Sequence, residues 1–287
     1  MPTVLLATCS ELPNGDEDAP VLSAALAEQA IDARWATWTD PEIDWSAGLV
    51  VLRSTWDYTH DRSGYLQWVR TLPAVANAAP VVEWNTDKVY LADLGAAGVP
   101  TVPTTIAQPG EALTLPDAEV VVKPSVGAGS RGVGRFTAER GAAARQHAAE
   151  LHAAGRTVLV QPYLDAVDDA GETALIYLDG RFSHAIRKGP MLSAGAAHGV
   201  HGDSLYIEEL ISAREPAAAE LAVGDAVLSY VRKRFGDDQL YTRVDLLPSP
   251  DGPVVVELEL VEPSLFLQYS PGGRAAREFA KAIAARA

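Results

Sequence analysis

The chain has little of several things, and each scarcity narrows what it can be. Among its 287 residues there is one cysteine, Cys9. No intrachain disulfide framework can form, and a reducing cytoplasm is the expected compartment. Basic residues are also few: 23 Lys and Arg stand against 38 Asp and Glu, a formal net charge of -15. Nucleic acids and anionic membrane surfaces both demand a cationic face, so neither is expected as a partner. The opening MPTVLLATCSEL has no basic segment, its apolar run is too short for a signal peptide, and no later stretch reaches the length of a membrane span. What is present is 48% hydrophobic and 21% charged residues, enough for a folded chain with two or three core-bearing lobes. Cys9 itself reads as a buried core thiol, since nothing electropositive surrounds it in sequence.

Apolar runs alternate with helical spacing over the first part of the chain. Val4 to Thr8 reads as a strand, Ala19 to Ala30 as a helix, and ARWATW and GLVVLRS as further strands. This βαβ rhythm predicts a small parallel sheet with a ligand crevice beyond its strand ends, where the loops ELPNGDED and RSTWDY fall. A helix beginning near Asp87 ends at the Pro-rich Gly98 to Thr105, and beyond it the pattern changes. AEVVVKP, GRF and TVLVQPY read as strands, with an Ala-rich helix from about Glu139 to Ala154. ETALIYL and RFSHAIRK form a hairpin across Asp179-Gly180, and LYTRVDLL pairs with VVVELEL across PSPDGP. Arg214 to Arg234 and Arg274 to Arg286 read as helices.

Gly127, Gly129 and Gly132 satisfy the dinucleotide pattern G-x-G-x-x-G, yet no helix follows them. The chain returns instead to the extended GRF, which predicts a flap between antiparallel strands. There Ser125, Ser130, Arg131 and the glycines would close over phosphate oxygens. A plain glycine-rich turn is the alternative, and Lys123 just upstream favours the phosphate reading.

The last hairpin poses a sharper question. Glu257 and Glu259 sit two apart in an apolar strand, so both carboxylates share one face, as do Arg243 and Asp245 on the partner strand. A register pairing Asp245 with Glu257 and Arg243 with Glu259 would gather three acids around one guanidinium. Hard divalent cations, Mg²⁺ foremost, explain such a cluster; a solvated sheet face with one salt bridge is the alternative. The continuation EPSL, with Glu262 and Ser264, looks like the rim of a site.

These residues together resemble the ATP-grasp superfamily, in which two α+β lobes sandwich ATP and follow an N-terminal parallel-sheet lobe. The resemblance implies lobes at 1–86, 87–162 and 163–287. It implies nucleotide-binding roles for Lys88, Lys123 and Ser130, an adenine-reading hinge at Gln161, Pro162, Tyr163 and Leu164, and a phosphate-binding Arg187. The ribose would meet Glu172, with Asp168 or Asp169 as substitutes because AVDDAG lengthens the spacing. Asp245, Glu257 and Glu259 fall on the metal positions, for two Mg²⁺ or Mn²⁺ ions. Many members have Glu-x-Asn where this chain has Glu257-Leu258-Glu259, which adds a negative charge. Arg243 matches an arginine that steadies the tetrahedral intermediate, so Arg243, Lys123 and Arg187 are the expected catalytic set.

RSTWDYTHDRSGYLQW and WNTDKVYLADL are most similar to the bacterial branch containing D-cycloserine synthetase. The resemblance implies an ADP-forming carboxylate–nitrogen ligase acting through an acyl phosphate on a small amino-acid-like substrate, including ring closure of an O-ureido serine. An intermolecular ligase and a non-catalytic ATP-binding regulator are the alternatives. Substrate would be held by Arg53, Ser54, Asp57 and Tyr58 together with Glu262 and Ser264, unless the first four only cap and pack a strand end. The glycine flap and the loop Gly189 to Ser204 are the expected lids, with His184, His198 and His201 read as solvated lid residues rather than zinc ligands. A homo-oligomer is expected.

Overall fold

The computed structural model describes residues 1–190, 192, 210–236 and 239–287. The expected lid segment beyond Pro190, with His198 and His201, lies outside the described residues apart from Leu192. Among the described residues no helix is long and apolar enough to cross a membrane.

Strands β1 (Thr3–Thr8), β2 (Asp32–Thr37), β3 (Leu49–Ser54) and β4 (Val75–Ala76) form a parallel sheet in the order β2-β1-β3-β4. Their apolar residues run without alternation because both faces are covered. Val4, Leu6 and Val51 face one core with helix α1 (Ala19–Glu28), while Leu5, Ala7, Val50 and Leu52 face another with Tyr65, Leu66 and Val69 of α2 (Arg62–Thr71). Two short helices follow, α3 (Ala79–Asn85) and α4 (Tyr90–Ala96). The helix read as beginning near Asp87 corresponds to α4, while α3 has no counterpart in the sequence reading.

The middle sheet is antiparallel, β5-β8-β6-β7, built from β5 (Thr105–Ala107), β6 (Val120–Pro124), β7 (Gly134–Phe136) and β8 (Val158–Pro162). Helix α5 (Gly141–Ala153) buries Ala144, Ala148 and Leu151 against it. A one-turn helix, α6 (Val167–Ala170), fills AVDDAG, which the sequence pattern left as loop.

The last sheet has the order β11-β10-β9-β12-β13 and is antiparallel throughout. Its strands are β9 (Glu172–Leu178), β10 (Arg181–Lys188), β11 (Ile211–Arg214), β12 (Tyr241–Leu247) and β13 (Val254–Glu259). The turn joining β9 to β10 places Asp179 and Gly180 at φ 52 and 70, as the Asp-Gly signal predicts. Helix α7 (Ala218–Phe235) starts four residues later than the helix read from Arg214, which belongs to β11. Pro216 disfavours helix in the residue before it, and the Glu220 carboxylate instead accepts the Ala217 N–H at 2.6 Å to cap the start.

One face of this sheet packs Leu175, Tyr177, Val244 and Leu258 under α7 and under Tyr90, Leu91 and Leu94 of α4. The segment expected to open the middle lobe therefore builds the core of the last one. On the other face, Ile176, Leu178 and Tyr241 meet α8 (Arg274–Ala284), whose Phe279 and Ile283 join them to the core of the first sheet. Tyr241 anchors this junction with its hydroxyl, which lies 2.7 Å from the Val261 carbonyl oxygen and 2.9 Å from that of Leu52.

A buried asparagine completes the connection. The Asn77 amide donates to the carbonyls of Tyr241 and Leu260 at 3.0 and 2.7 Å, and its oxygen accepts the Leu240 N–H at 2.8 Å. Replacing Asn77 by Leu leaves all three backbone groups unpaired in the core. We expect Asn77→Leu to lower the unfolding free energy by about 2–3 kcal/mol, measured by urea denaturation.

Candidate active site

The site begins where the last sheet stops being apolar. Asp245 lies opposite Glu257 and Arg243 opposite Glu259, which is the register expected from the sequence. Two irregularities then decide which side chains face inward. In β13 the register shifts between Asp245 and Leu246, so that Leu246 pairs with Val255. Simple alternation would put Val255 on the face of Glu257 and Glu259; the shift returns Val255 to the apolar core with Leu258. In β10 the register shifts between Phe182 and His184, so Lys188 rather than Arg187 lies opposite Glu172.

The second shift overturns the expected role of Arg187. Its guanidinium turns away from the cavity and donates to the backbone carbonyls of Ala170 and Asp169 at 2.7 and 2.9 Å. Lys188 takes the inward position, with its ammonium 2.7 Å from both Glu172 and Asp245. A regular hairpin from Asp179-Gly180 would have paired Arg187 with Glu172, so only knowledge of the bulge could have found Lys188.

The result is a dense ionic cluster. Arg243 contacts Asp245 at 2.8 Å, bonds Glu259, and donates to the Ser264 carbonyl at 3.1 Å. Burial alone would raise the Asp245 carboxyl, but Arg243 and Lys188 together hold it well below the usual carboxylate range. Glu257 lies 3.1 Å from Lys88, and that ammonium and Lys123 outweigh burial to lower it. Glu259 behaves differently: burial, opposed by Arg243 and reinforced by Glu257 and Asp245, pushes it up to about 7.

Lys123 ends β6 and is buried, and among the described residues no carboxylate lies within ion-pair distance of it. Burial, only partly offset by Glu257 and compounded by Lys88, lowers it to about 8. Lys88 reaches the flap root, donating to the Gly127 carbonyl at 2.6 Å.

Lys88, Lys123, Lys188, Arg243, Glu257 and Glu259 line one cavity of about 1200 Å³ between the sheets, while Asp245 is buried and does not reach its surface. Flap residues Gly127 to Arg131 form one wall, and Gln161, Pro162, Tyr163, Leu164 and Glu172 another. The Gln161 side chain donates to the Thr104 hydroxyl at 2.9 Å, which leaves untouched the expected reading of adenine by the hinge backbone. Asp168 is held by the Tyr163 hydroxyl at 2.5 Å and lies outside the lining, as does Asp169, whereas Glu172 lies inside. Ser130 has φ 58, between Gly129 and Gly132 at 60 and 72, which folds the flap sharply over the cavity.

The expected substrate set divides. Glu262, Ser264 and Tyr58 line the cavity, though Tyr58 is otherwise packed among the aromatic residues of the first lobe. Arg53, Ser54 and Asp57 do not. Arg53 is 0% exposed and engages Asp18 at 3.2 Å behind the cavity wall, which leaves a substrate carboxylate no path to it. Ser54 bonds the Thr8 hydroxyl at 2.7 Å, and Asp57 accepts the Trp38 indole N–H at 2.7 Å. The packing alternative holds for these three. In their place the wall uses Gly15, Asp16, Glu17, Asp18 and Trp56, from the two loops that the βαβ rhythm placed at the crevice. His184 is corrected as well: it is buried, with Nε2 3.0 Å from the Leu265 carbonyl, so it is a structural residue and not a solvated one. Cys9 is fully buried, and burial lifts its thiol to about 11.

A divalent cation fits the donor set. Asp245, Glu257 and Glu259 each offer a carboxylate oxygen, all within 4.8 Å of one another, and hard oxygen donors of this kind suit Mg²⁺.

Comparison with known proteins identifies relatives of this sequence and fold. Residues 4–79 match a family model described as the N-terminal domain of D-cycloserine synthetase DcsG. The cycloserine biosynthesis protein DcsG of Streptomyces lavendulae is 39% identical over 288 residues, spanning 94% of each chain. Among solved structures, D-cycloserine synthetase DcsG superposes with a TM-score of 0.88 at 36% identity over 99% of each chain. D-alanine–D-alanine ligase from Bacillus anthracis, complexed with ATP, gives 0.65 at 14% identity over 100% of this chain and 97% of its own. A RimK domain ATP-grasp protein from Sphaerobacter thermophilus gives 0.66 at 18% over 98% and 99%. The last two likenesses show the shared fold.

The ionic cluster is also structural. Asp245→Asn would leave Arg243 and Lys188 buried with half their compensation, relying on Glu259 and Glu172. We expect it to destabilise the metal-free protein by about 3 kcal/mol in urea denaturation.

Proposed function

Because the chain belongs to the D-cycloserine synthetase family of ATP-grasp ligases, we propose that its cavity closes an O-ureido-serine-type substrate into the cycloserine ring, with ATP as the activating reagent. The chain is an ATP-dependent, ADP-forming ligase that uses a divalent metal. One observation supports the assignment above others: Arg243 and the three acids share a single sheet face with Lys188, and that face lines the cavity that also holds Lys88, Lys123 and the flap.

The chemistry follows from charge. A carboxylate is a poor electrophile, so its oxygen first takes the γ-phosphoryl group and ADP leaves. The ureido nitrogen of the same substrate then attacks the acyl carbon and loses its proton, phosphate departs as that bond forms, and hydrolysis by water of the carbamoyl group on that nitrogen, released as carbon dioxide and ammonia, leaves the cycloserine ring. Both steps bring anions together. Lys88, Lys123 and Lys188 supply fixed positive charge around the phosphates, while Arg243 faces the oxyanion that develops at the acyl carbon. Asp245, Glu257 and Glu259 would hold two Mg²⁺ ions, with Mn²⁺ able to substitute, and these offset charge between phosphate and carboxylate when bound. Pro162 to Leu164 offer the adenine a wall, and Glu172 is the acid placed for the ribose. Trp56, Glu262 and Ser264 bound the substrate end, where the acidic loop Asp16 to Asp18 favours an amino-acid ammonium over an anion.

Two measurements test this reading. ADP and ring product should form in equal amounts from a single carboxylate with no added amine; strict dependence on a second amine would replace cyclisation with intermolecular ligation. Glu257→Gln should lower ADP formation by at least about a hundredfold, with ATP binding still measurable by calorimetry. Unchanged turnover would remove Glu257 from the metal set.

Lys123 gives a pH prediction. Its ammonium loses its proton above about 8 in the nucleotide-free protein, and only the charged form attracts phosphate. ATP affinity should therefore fall as pH rises through that value, with proton uptake on binding. Lys123→Met should bind ATP more weakly and flatten this part of the calorimetric profile.

A further inference from the structure

The flap carries one long cationic side chain, Arg131, and a cation on a phosphate-covering loop is ordinarily read as a phosphate ligand. Its geometry contradicts that reading. Nη2 donates to the Trp56 carbonyl at 3.0 Å and to the Thr59 hydroxyl at 2.7 Å, Nη1 lies 3.0 Å from His60 Nε2, and Nε bonds Ala128 within the flap at 3.4 Å. Every acceptor outside the flap belongs to one short turn of the first lobe, Trp56–His60. None of them is a carboxylate, so this is directional docking rather than charge pairing.

We propose that Arg131 is a positioning residue that latches the glycine flap onto the Trp56–His60 turn, so that the cavity roof closes only when the substrate-side wall is in place. The role in turnover rests on the ligase reading given above; the latch itself does not.

Further contacts support it. Val126, at the flap root, packs against the core of the first lobe, so the flap approaches that lobe by shape as well as by hydrogen bonds. The root is tied on its other side by Lys88 to Gly127 and by Arg156 to Val126, at 2.6 and 3.0 Å. His147 Nε2 holds the returning limb at the Gly132 carbonyl, 2.8 Å away, and Arg131 ties the tip to the first lobe. Trp56 meanwhile donates its indole N–H to the Glu262 carbonyl at 2.9 Å, and both residues line the cavity. The turn that receives Arg131 is thus the turn that touches the rim of the acid-bearing hairpin. A substrate seated against Trp56 would hold the latch receptor in register, and a closed roof keeps water from the acyl phosphate before nitrogen attacks.

The test compares Arg131→Ala, Thr59→Val and the double variant with the wild-type chain. Thr59→Val keeps the buried shape and removes one acceptor. Hydrogen exchange of the nucleotide-free protein comes first, because it needs no activity. Amides of 56–60 and 125–133 should lose protection together in Arg131→Ala and in part in Thr59→Val, with the double variant no worse than Arg131→Ala. Retained protection at 56–60 in Arg131→Ala would overturn the latch, whatever happens to turnover.

Kinetics then read the consequence. Arg131→Ala should lower the rate of ring formation by about tenfold and raise the ratio of ADP to product, with KM for ATP changed less than about threefold. A tenfold or larger rise in KM for ATP at an unchanged ADP-to-product ratio would instead make Arg131 a phosphate ligand and sink the proposal. If no substrate supports ADP release by the wild-type chain, the ligase reading fails, while the exchange data still decide the latch.

Discussion

Charge placed against apolar packing is the constraint on which this structure turns. The inner face of β12 and β13 carries Asp245, Glu257 and Glu259 on strands whose opposite face is core, and unpaired carboxylates there would be expensive. Lys88, Lys188 and Arg243 meet them from three different parts of the chain. Cations outweigh burial at Asp245 and at Glu257, whereas at Glu259 burial prevails over Arg243 and raises the carboxyl. Lys123 is the reverse case: among the described residues no carboxylate lies within ion-pair distance of its buried ammonium, and burial outweighs the attraction of Glu257. The site therefore sets an under-neutralised acid and an under-neutralised base on one cavity wall.

Those deficits exist only because the sheet aims the right side chains inward, and two register shifts do the aiming. Without the shift in β13, Val255 would join the acids and the core would lose a valine; without that in β10, Arg187 would displace Lys188. A bulge costs ladder hydrogen bonds and persists where it serves placement. Gly171 shows how tightly the second shift is enclosed. At φ 73, a side chain there would meet the Lys188 carbonyl at 2.5 Å and Arg187 Nε at 2.7 Å, so the glycine lets α6 turn into β9 directly beside the inverted pair.

Much of the site was legible because period-two patterning is local information. The pairing of Asp245 with Glu257 and of Arg243 with Glu259 follows from alternation and a short turn, and Asp179-Gly180 announces its own hairpin. The flap was legible from glycine spacing together with the missing helix. Bulges were not, because the extra residue in β10 depends on what packs against the strand rather than on any signal within it. The same limit explains Arg53, Ser54 and Asp57, which lie at a strand end where binding groups are common. Whether such residues face ligand or core is settled by partners far away in sequence, here Asp18, Thr8 and Trp38. It also explains α4, whose apolar stripe shows that it packs without showing which sheet receives it.

Arg53 remains important to the site in spite of its burial. It sits under the wall with Asp18, whose carboxylate accepts the N–H groups of Leu265 and Leu267, each at 2.7 Å. Those two residues flank Phe266, held at φ 52 with its ring 5.5 Å from the Arg243 guanidinium. A left-handed phenylalanine is strained, and it stays only because its neighbours are pinned. The chain of causes runs from a buried arginine through an aspartate to the segment that shapes the cavity beside Arg243. Aromatic rings of Tyr241 and Phe279 lie 5.7 and 5.5 Å from the Arg53 guanidinium and provide a cation with weak hydration a partly compensated place to sit. The first lobe thus acts on the cavity at a distance, by fixing the backbone against which Arg243 rests.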